Sequence, residues 1–178
     1  MVYDVLEINN IEGETMGKFL VEFEVPAEDF ENAKACIALD RLNGGALGSS
    51  NGLDEASALV IAKDGRTAAT KFLKEYKTVF GHPPLRWLPD IVNYSAIAKR
   101  TGFTAEAIRL YALNERGPGN FPKPISVIGQ GSLLTPVWNW PEVFNWMVAN
   151  EKLENEYLYP TQNEIMLING ELAIKQLA

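Results

Sequence analysis

The chain has 178 residues, 47% of them hydrophobic and 22% charged, with a formal net charge of −7, which is enough apolar material to bury the core of one domain or two small ones. No apolar run approaches the ~20 residues of a membrane-spanning helix, and the start of the chain lacks a basic stretch followed by an apolar one, so neither a membrane nor an exported protein is expected. The single cysteine, Cys36, leaves no internal disulfide and fits a reducing, cytoplasmic setting.

Val2 to Ile8 reads as a first strand. Lys18 to Val25 alternates apolar and polar residues, with Phe19, Val21, Phe23 and Val25 on one face, as a half-exposed strand does. Pro26 starts a helix carrying Phe30, Ala33, Ile37 and Leu42. Asn43 to Asp54, rich in Gly, Ser and Asn, reads as a loop. Ala58 to Ala62 fits a strand or a helix start, a helix runs from about Arg66 to Phe80, and Leu85 to Val92 is partly extended. Strands alternating with helices predict a small α/β unit over residues 1–83, ferredoxin-like as a candidate topology, serving dimerisation or sensing. His82-Pro83-Pro84 is the stiff punctuation that sets a boundary near 84.

Tyr94 to Tyr111, YSAIAKRTGFTAEAIRLY, reads as two short helices joined by a tight turn. Asn93 and Thr104 can cap them. Gly102 supplies the left-handed residue that ends the first helix, Ala98 is small where the second helix presses on it, and Ile108 and Tyr111 point into the core. Phe103 is the apolar plug of the turn, while Thr101 stands where a larger aliphatic residue is more usual. Two glycines and two prolines in Glu115–Pro122 break the helix. Ile125–Ile128 and Val137–Trp140 then form a β-hairpin with Gly129-Gln130-Gly131-Ser132 at its tip and Trp138 and Trp140 on one face. Pro141 opens a last helix of this region, with Val143, Phe144, Trp146 and Met147 at helical spacing.

The order helix, turn, helix, wing, helix is that of a winged helix-turn-helix. Across about residues 88–148 the sequence resembles the MerR-like and excisionase-like DNA-binding domains of bacterial and phage regulators. The matching stretches are LPDIVNYSAIAKRTGFTAEAIRLY, ERGPGNFPKP and WNWPEVFNWM. The resemblance implies an α+β protein whose winged helix-turn-helix spans residues 84–150 and binds specific double-stranded DNA. The second helix, about 104–114, would lie in the major groove and the 125–140 hairpin would act as wing. No long coiled coil and no cysteine cluster accompany it, so metal-responsive activation is not implied. A transcriptional regulator is the expected role. The alternatives are an excisionase-like architectural factor and a winged-helix module that binds protein.

Charge is unevenly spread. Residues 1–83 carry 8 basic and 14 acidic side chains, residues 84–150 carry 6 and 4, and residues 151–178 carry 2 and 5, so the motif region is the one basic part. In such motifs Thr104, Ala105, Glu106 and Arg109 reach base edges, Arg109 toward guanine and Glu106 toward cytosine. Lys99, Arg100 and Arg116 are candidates for phosphate contacts, while Lys123 at the wing base and Gln130 and Ser132 at its tip are placed to touch the DNA backbone or the minor groove. So few cations predict weak binding by one copy, hence a homo-oligomer.

Residues 151–178 are expected as an acidic helical extension interrupted at Tyr159-Pro160, with a capping box from Thr161 to Glu164. Ile165, Ile168 and Leu172 would share a face, against a protein partner or the chain's own core, although Asn169-Gly170 weakens the helix. No enzyme, metal or cofactor is expected. His82 sits in a turn with no spaced ligand partner, and Asn43–Gly52 lacks the Gly-Lys-Ser/Thr ending of a phosphate-binding loop.

Overall fold

The computed structural model describes residues 16–30, 45–50, 52–154 and 157–177. The expected strand at Val2–Ile8 and the helix positions Ala33, Ile37 and Leu42 lie outside them. The architecture is mixed α+β. It separates into one unit comprising Met1–Leu88 with Glu156–Ala178 and a second comprising Pro89–Asn155. This differs from a three-part division at 83 and 150, because the final helix belongs with the first unit.

In the first unit β1 (Gly17–Glu24) is followed by α1 (Ala27–Phe30), β2 (Ala46–Ser50), β3 (Leu53–Ala62), α2 (Gly65–Phe80) and β4 (Arg86–Trp87). The sheet order is β2-β3-β1-β4, with every neighbouring pair antiparallel. Alternation in β1 buries Phe19, Val21 and Phe23 opposite Val60, Ala58 and Ala56 of β3. The small alanines leave room for Phe23, which stacks on Phe72 of α2 at 4.8 Å and on Trp87 of β4 at 5.3 Å. The loop expected over Asn43–Asp54 is corrected from Ala46 onward, where β2 and β3 form a hairpin turning through Gly52 at φ 79°. A backbone ladder forms there despite the small polar side chains that suggest a loop.

The last helix, α6 (Gln162–Leu177), comes after three intervening helices of the second unit and packs Ile165, Ile168 and Leu172 into this same core. Their stripe thus faces the protein's own interior. The capping box is present: Glu164 N–H donates to Thr161 Oγ1 at 3.3 Å, and Thr161 N–H donates to Glu164 Oε2 at 2.7 Å. Glu164 also accepts from the Arg66 amide at 3.1 Å, so one carboxylate serves the first turns of both α2 and α6. Gly65 permits that approach, since a Cβ there would lie 2.8 Å from Glu164 Oε2 and 3.0 Å from Pro160 Cα. Asn169 does not end the helix, because its amide accepts from Trp87 N–H at 2.6 Å and donates to Trp87 C=O at 3.0 Å. Residues 151–154 form a turn rather than the helix expected from Glu151, and Leu158 pairs in parallel beside Phe19.

The second unit contains β5 (Ile91–Val92), α3 (Tyr94–Thr101), α4 (Ala105–Ala112), β6 (Ser126–Ile128), β7 (Thr135–Asn139) and α5 (Trp140–Ala149). Its small sheet has the order β5-β7-β6. Strand β7 stops at Asn139, so Trp140 begins α5 instead of sharing a strand face with Trp138. Both indoles are buried all the same. So are Val143, Phe144, Trp146 and Met147 of α5, as their spacing requires.

Candidate nucleic-acid interface

Two capped helices form the centre of the second unit. Asn93 accepts from Ala96 N–H at 2.9 Å to open α3, and Gly102 closes it at φ 73° with its N–H on Ala98 C=O. Thr104 accepts from Ala107 N–H at 3.1 Å to open α4. Ile97 and Ile108 are fully buried where the two helices meet. Thr101 suits its unusual position, because its hydroxyl donates to Ile97 C=O at 2.8 Å and accepts from Phe103 N–H. Phe103 meets Tyr111 edge-on at 6.1 Å.

After α4 the chain turns through Asn114, Gly117, Gly119 and Asn120, all at positive φ. Three aromatic residues hold this turn. Trp146 donates its indole N–H to Gly119 C=O at 3.0 Å, and Trp138 donates to Pro122 C=O at 2.9 Å. Phe121 sits between them, at 4.9 Å and 6.0 Å from their rings. Gly117 lies so close to Tyr111 that a Cβ would come within 2.8 Å of its ring. The hairpin that follows therefore starts from a fixed base.

A cleft of about 340 Å³ opens where α3, α4 and the hairpin meet, lined by Asn93, Tyr94, Ser95, Ala105, Glu106, Arg109 and Thr135. The first turns of both helices border it, so the positive ends of two helix dipoles face it. Ala105 and Glu106 are exposed. Arg109 does not stand open to a base, since its Nε and Nη2 donate to the two Glu106 oxygens at 2.9 and 2.8 Å. That bond holds the Glu106 carboxyl below the usual range and raises the Arg109 guanidinium further, so both are charged at neutral pH. Burial raises the Tyr94 phenol, with Arg109 opposing the shift. The Thr104 hydroxyl is engaged as the cap.

The remaining expected contacts are not among the residues lining this cleft. Lys99, Arg116, Lys123 and Gln130 are exposed. Lys99, Arg116 and Lys123 have no carboxylate partner among the described residues. Arg100 donates to Asp90 at 2.6 Å and lies over the Trp140 ring at 4.9 Å. Ser132 falls in the short 3₁₀ turn Gly131–Leu133 at the hairpin tip. Redrawing the unit at Pro89–Asn155 exchanges Arg86 for Lys152 and adds Glu151 and Glu154. The unit then holds six basic and six acidic side chains, so the local excess of +2 vanishes.

Sequence reasoning also missed two features. One is the apolar hairpin, whose Val127, Ile128, Leu133 and Leu134 are all more than half exposed. The other lies in the first unit: buried Asp29 accepts from the Tyr76 hydroxyl and pairs with His82 Nε2 at 3.2 Å. His82 is thus tied into a polar cluster rather than being a bare turn residue, and no spacing rule links positions so far apart. Among the described residues no group of three His, Cys, Asp or Glu side chains is arranged to hold a metal, and no helix is long and apolar enough to cross a membrane. Comparison with protein-family models, with curated proteins and with solved structures gave no match.

Proposed function

We propose that residues 89–155 are a winged helix-turn-helix that binds double-stranded DNA, with α4 in the major groove and the β6–β7 hairpin as wing, and that the chain is a transcriptional regulator. The observation that carries this reading is the pair of capped helices joined at a left-handed Gly102, with the exposed first turn of α4 opening onto the same cleft as Thr135 of the hairpin. A helix presented by its N-terminal residues beside a β-ribbon is the geometry used to reach base edges. The first unit, with its split β-α-β order, is proposed as ferredoxin-like and as the dimerising or sensing part.

In this reading Arg109 reaches guanine only after leaving Glu106, so the pair acts as a gate on base contact. Lys99, Arg116 and Lys123 hold phosphates, and Arg100 braces the framework through Asp90 and Trp140. The zero net charge of the second unit favours one rival, a protein-binding winged helix, because phosphate neutralisation supplies most non-specific affinity.

Binding of the full chain to a random duplex pool, followed against salt, separates the two. DNA binding predicts a log–log slope of roughly −0.9 per phosphate contact. Glu106→Ala is expected to tighten non-specific binding by roughly threefold to tenfold at low salt, since it removes an anion and releases Arg109. Arg109→Ala should flatten the preference at one base position of the enriched sequences. Absence of binding by the parent at low salt would leave the protein-interaction reading in its place.

A further inference from the structure

The one histidine of the chain, His82, stands where three elements of the first unit meet. Helix α2 ends at Phe80, and Gly81 closes it at φ 82° with its N–H on Lys77 C=O. The chain then turns through Pro83 and Pro84 until Leu85 N–H reaches Glu24 C=O. Each ring nitrogen of His82 meets an oxygen. Nδ1 lies 3.0 Å from Pro83 C=O, and Nε2 lies 3.2 Å from Asp29 Oδ1 on α1. A neutral imidazole has one N–H and one lone pair, so it satisfies only one of these oxygens, whereas an imidazolium donates to both.

Asp29 makes the demand stricter. It is 4% exposed, and its Oδ2 accepts from the Tyr76 hydroxyl. Burial and that hydrogen bond push the Tyr76 phenol far above its ordinary range, so Tyr76 stays a neutral donor. The carboxylate thus has an uncharged partner on one oxygen and needs a cation at the other, because a buried unpaired charge is costly. The carbonyl end of α2, next to the ring in sequence, favours a cation there as well. Among the described residues of the surrounding elements, Glu28 on α1 acts in the same direction and Lys77 in the last turn of α2 opposes it. Arg86 of β4 is occupied with Glu24.

We propose that His82 is held as an imidazolium between Asp29 and the Pro83 carbonyl, and that loss of its second proton to solvent frees the α2–β4 turn from α1, so that this junction responds to pH. Once that proton leaves, the ring keeps one N–H and its other nitrogen turns a lone pair toward an oxygen at hydrogen-bond distance. One of the two contacts must open. The His82 side chain is 42% exposed, so the ring can swing into water while Asp29 and Tyr76 remain in place. The contact therefore stabilises the folded chain in acid, and its contribution is lost as pH rises through the titration of the folded ring. This inference stands apart from the DNA-binding reading.

The test uses the full chain labelled with nitrogen-15, in which the imidazole signals belong to a single residue. At pH 6 both ring nitrogens should carry a proton. That pattern should persist to higher pH than in Asp29→Asn, whose amide accepts from Tyr76 and donates to a neutral ring. The Gly81 and Leu85 amides, which hold the two ends of the turn, should lose hydrogen-exchange protection with the same midpoint. His82→Gln changes a partly exposed position, removes the titrating group, and serves as the reference should Asp29→Asn not fold. Between about pH 6 and pH 9, across the ordinary imidazole range, the folding equilibrium constant of the parent should fall roughly tenfold relative to His82→Gln. Parallel stability curves for those two proteins would overturn the proposal. So would a ring that carries one proton at pH 6, or one that titrates while Gly81 and Leu85 stay protected.

Discussion

Asn169 offers the sharpest test of how the first unit is assembled. Its side-chain amide accepts from Trp87 N–H at 2.6 Å and donates to Trp87 C=O at 3.0 Å, and Trp87 is 1% exposed. Replacing it by alanine removes two hydrogen bonds worth about 1 kcal/mol each and leaves a buried donor without a partner, at about 1–3 kcal/mol in place of its share. Alanine is the better helix former and returns about 0.5 kcal/mol in α6. The expected net loss is about 2–3 kcal/mol. Urea unfolding followed by far-ultraviolet circular dichroism should show the midpoint of the first unit falling by roughly 1–2 M, given slopes of about 1–3 kcal/mol/M. Native-state hydrogen exchange should show the Trp87 amide losing protection. Asn169→Asp keeps the acceptor but sets a carboxylate against the Trp87 carbonyl, so at neutral pH it should also be destabilised. An alanine variant within about 0.5 kcal/mol of the parent, with the Trp87 amide still protected, would refute this account of the junction.

Two further outcomes are expected. Gly117→Ala places a side chain at φ 83° and within 2.8 Å of the buried Tyr111 ring, so strain and overpacking should cost about 2–4 kcal/mol by urea unfolding. Asp64 caps α2 through Thr67 N–H at 2.6 Å, and that hydrogen bonding holds its pKa below the ordinary value. A lowered folded-state value means that its contribution is complete above the unfolded pKa and is lost as pH falls through the folded one. Asp64→Ala should therefore cost about 1 kcal/mol at neutral pH. That difference should shrink toward zero below about pH 3, which thermal unfolding of both proteins at the two pH values would check.

Much of this is written locally in the chain. The alternation from Phe19 to Val25, the caps at Asn93 and Thr104, and the left-handed Gly102 act within a few residues, and the structure uses each as local chemistry requires. What escaped depends on which partner a group meets once the chain has folded, not on its own local pattern. Ala46 to Ser50 is too small and polar to read as a strand, yet its backbone is held by β3. Asn169-Gly170 reads as a break, but Trp87, 82 positions earlier, gives the asparagine a reason to stay helical. The candidate site follows the same rule. Helix ends and turn were legible, whereas pairing of Arg109 with Glu106 and of Arg100 with Asp90 changes which cations remain available to a partner.

The edge of β1 also has a consequence for how the chain is put together in time. Leu88 N–H donates to Glu22 C=O, and Leu20 N–H donates to Leu158 C=O. The chain thus leaves the first unit and returns to it at points about two residues apart along one strand, roughly 7 Å. Everything from Pro89 to Asn155 is an excursion between them. While that excursion is an open coil, bringing Leu158 and α6 home means closing a long loop, at an entropic cost that grows with the logarithm of its length. Once Pro89–Asn155 has folded, its flexible length is largely gone and the return is cheaper. During synthesis the first sheet waits for its last helix, and the inserted unit, complete before α6 emerges, is the one that can fold without waiting.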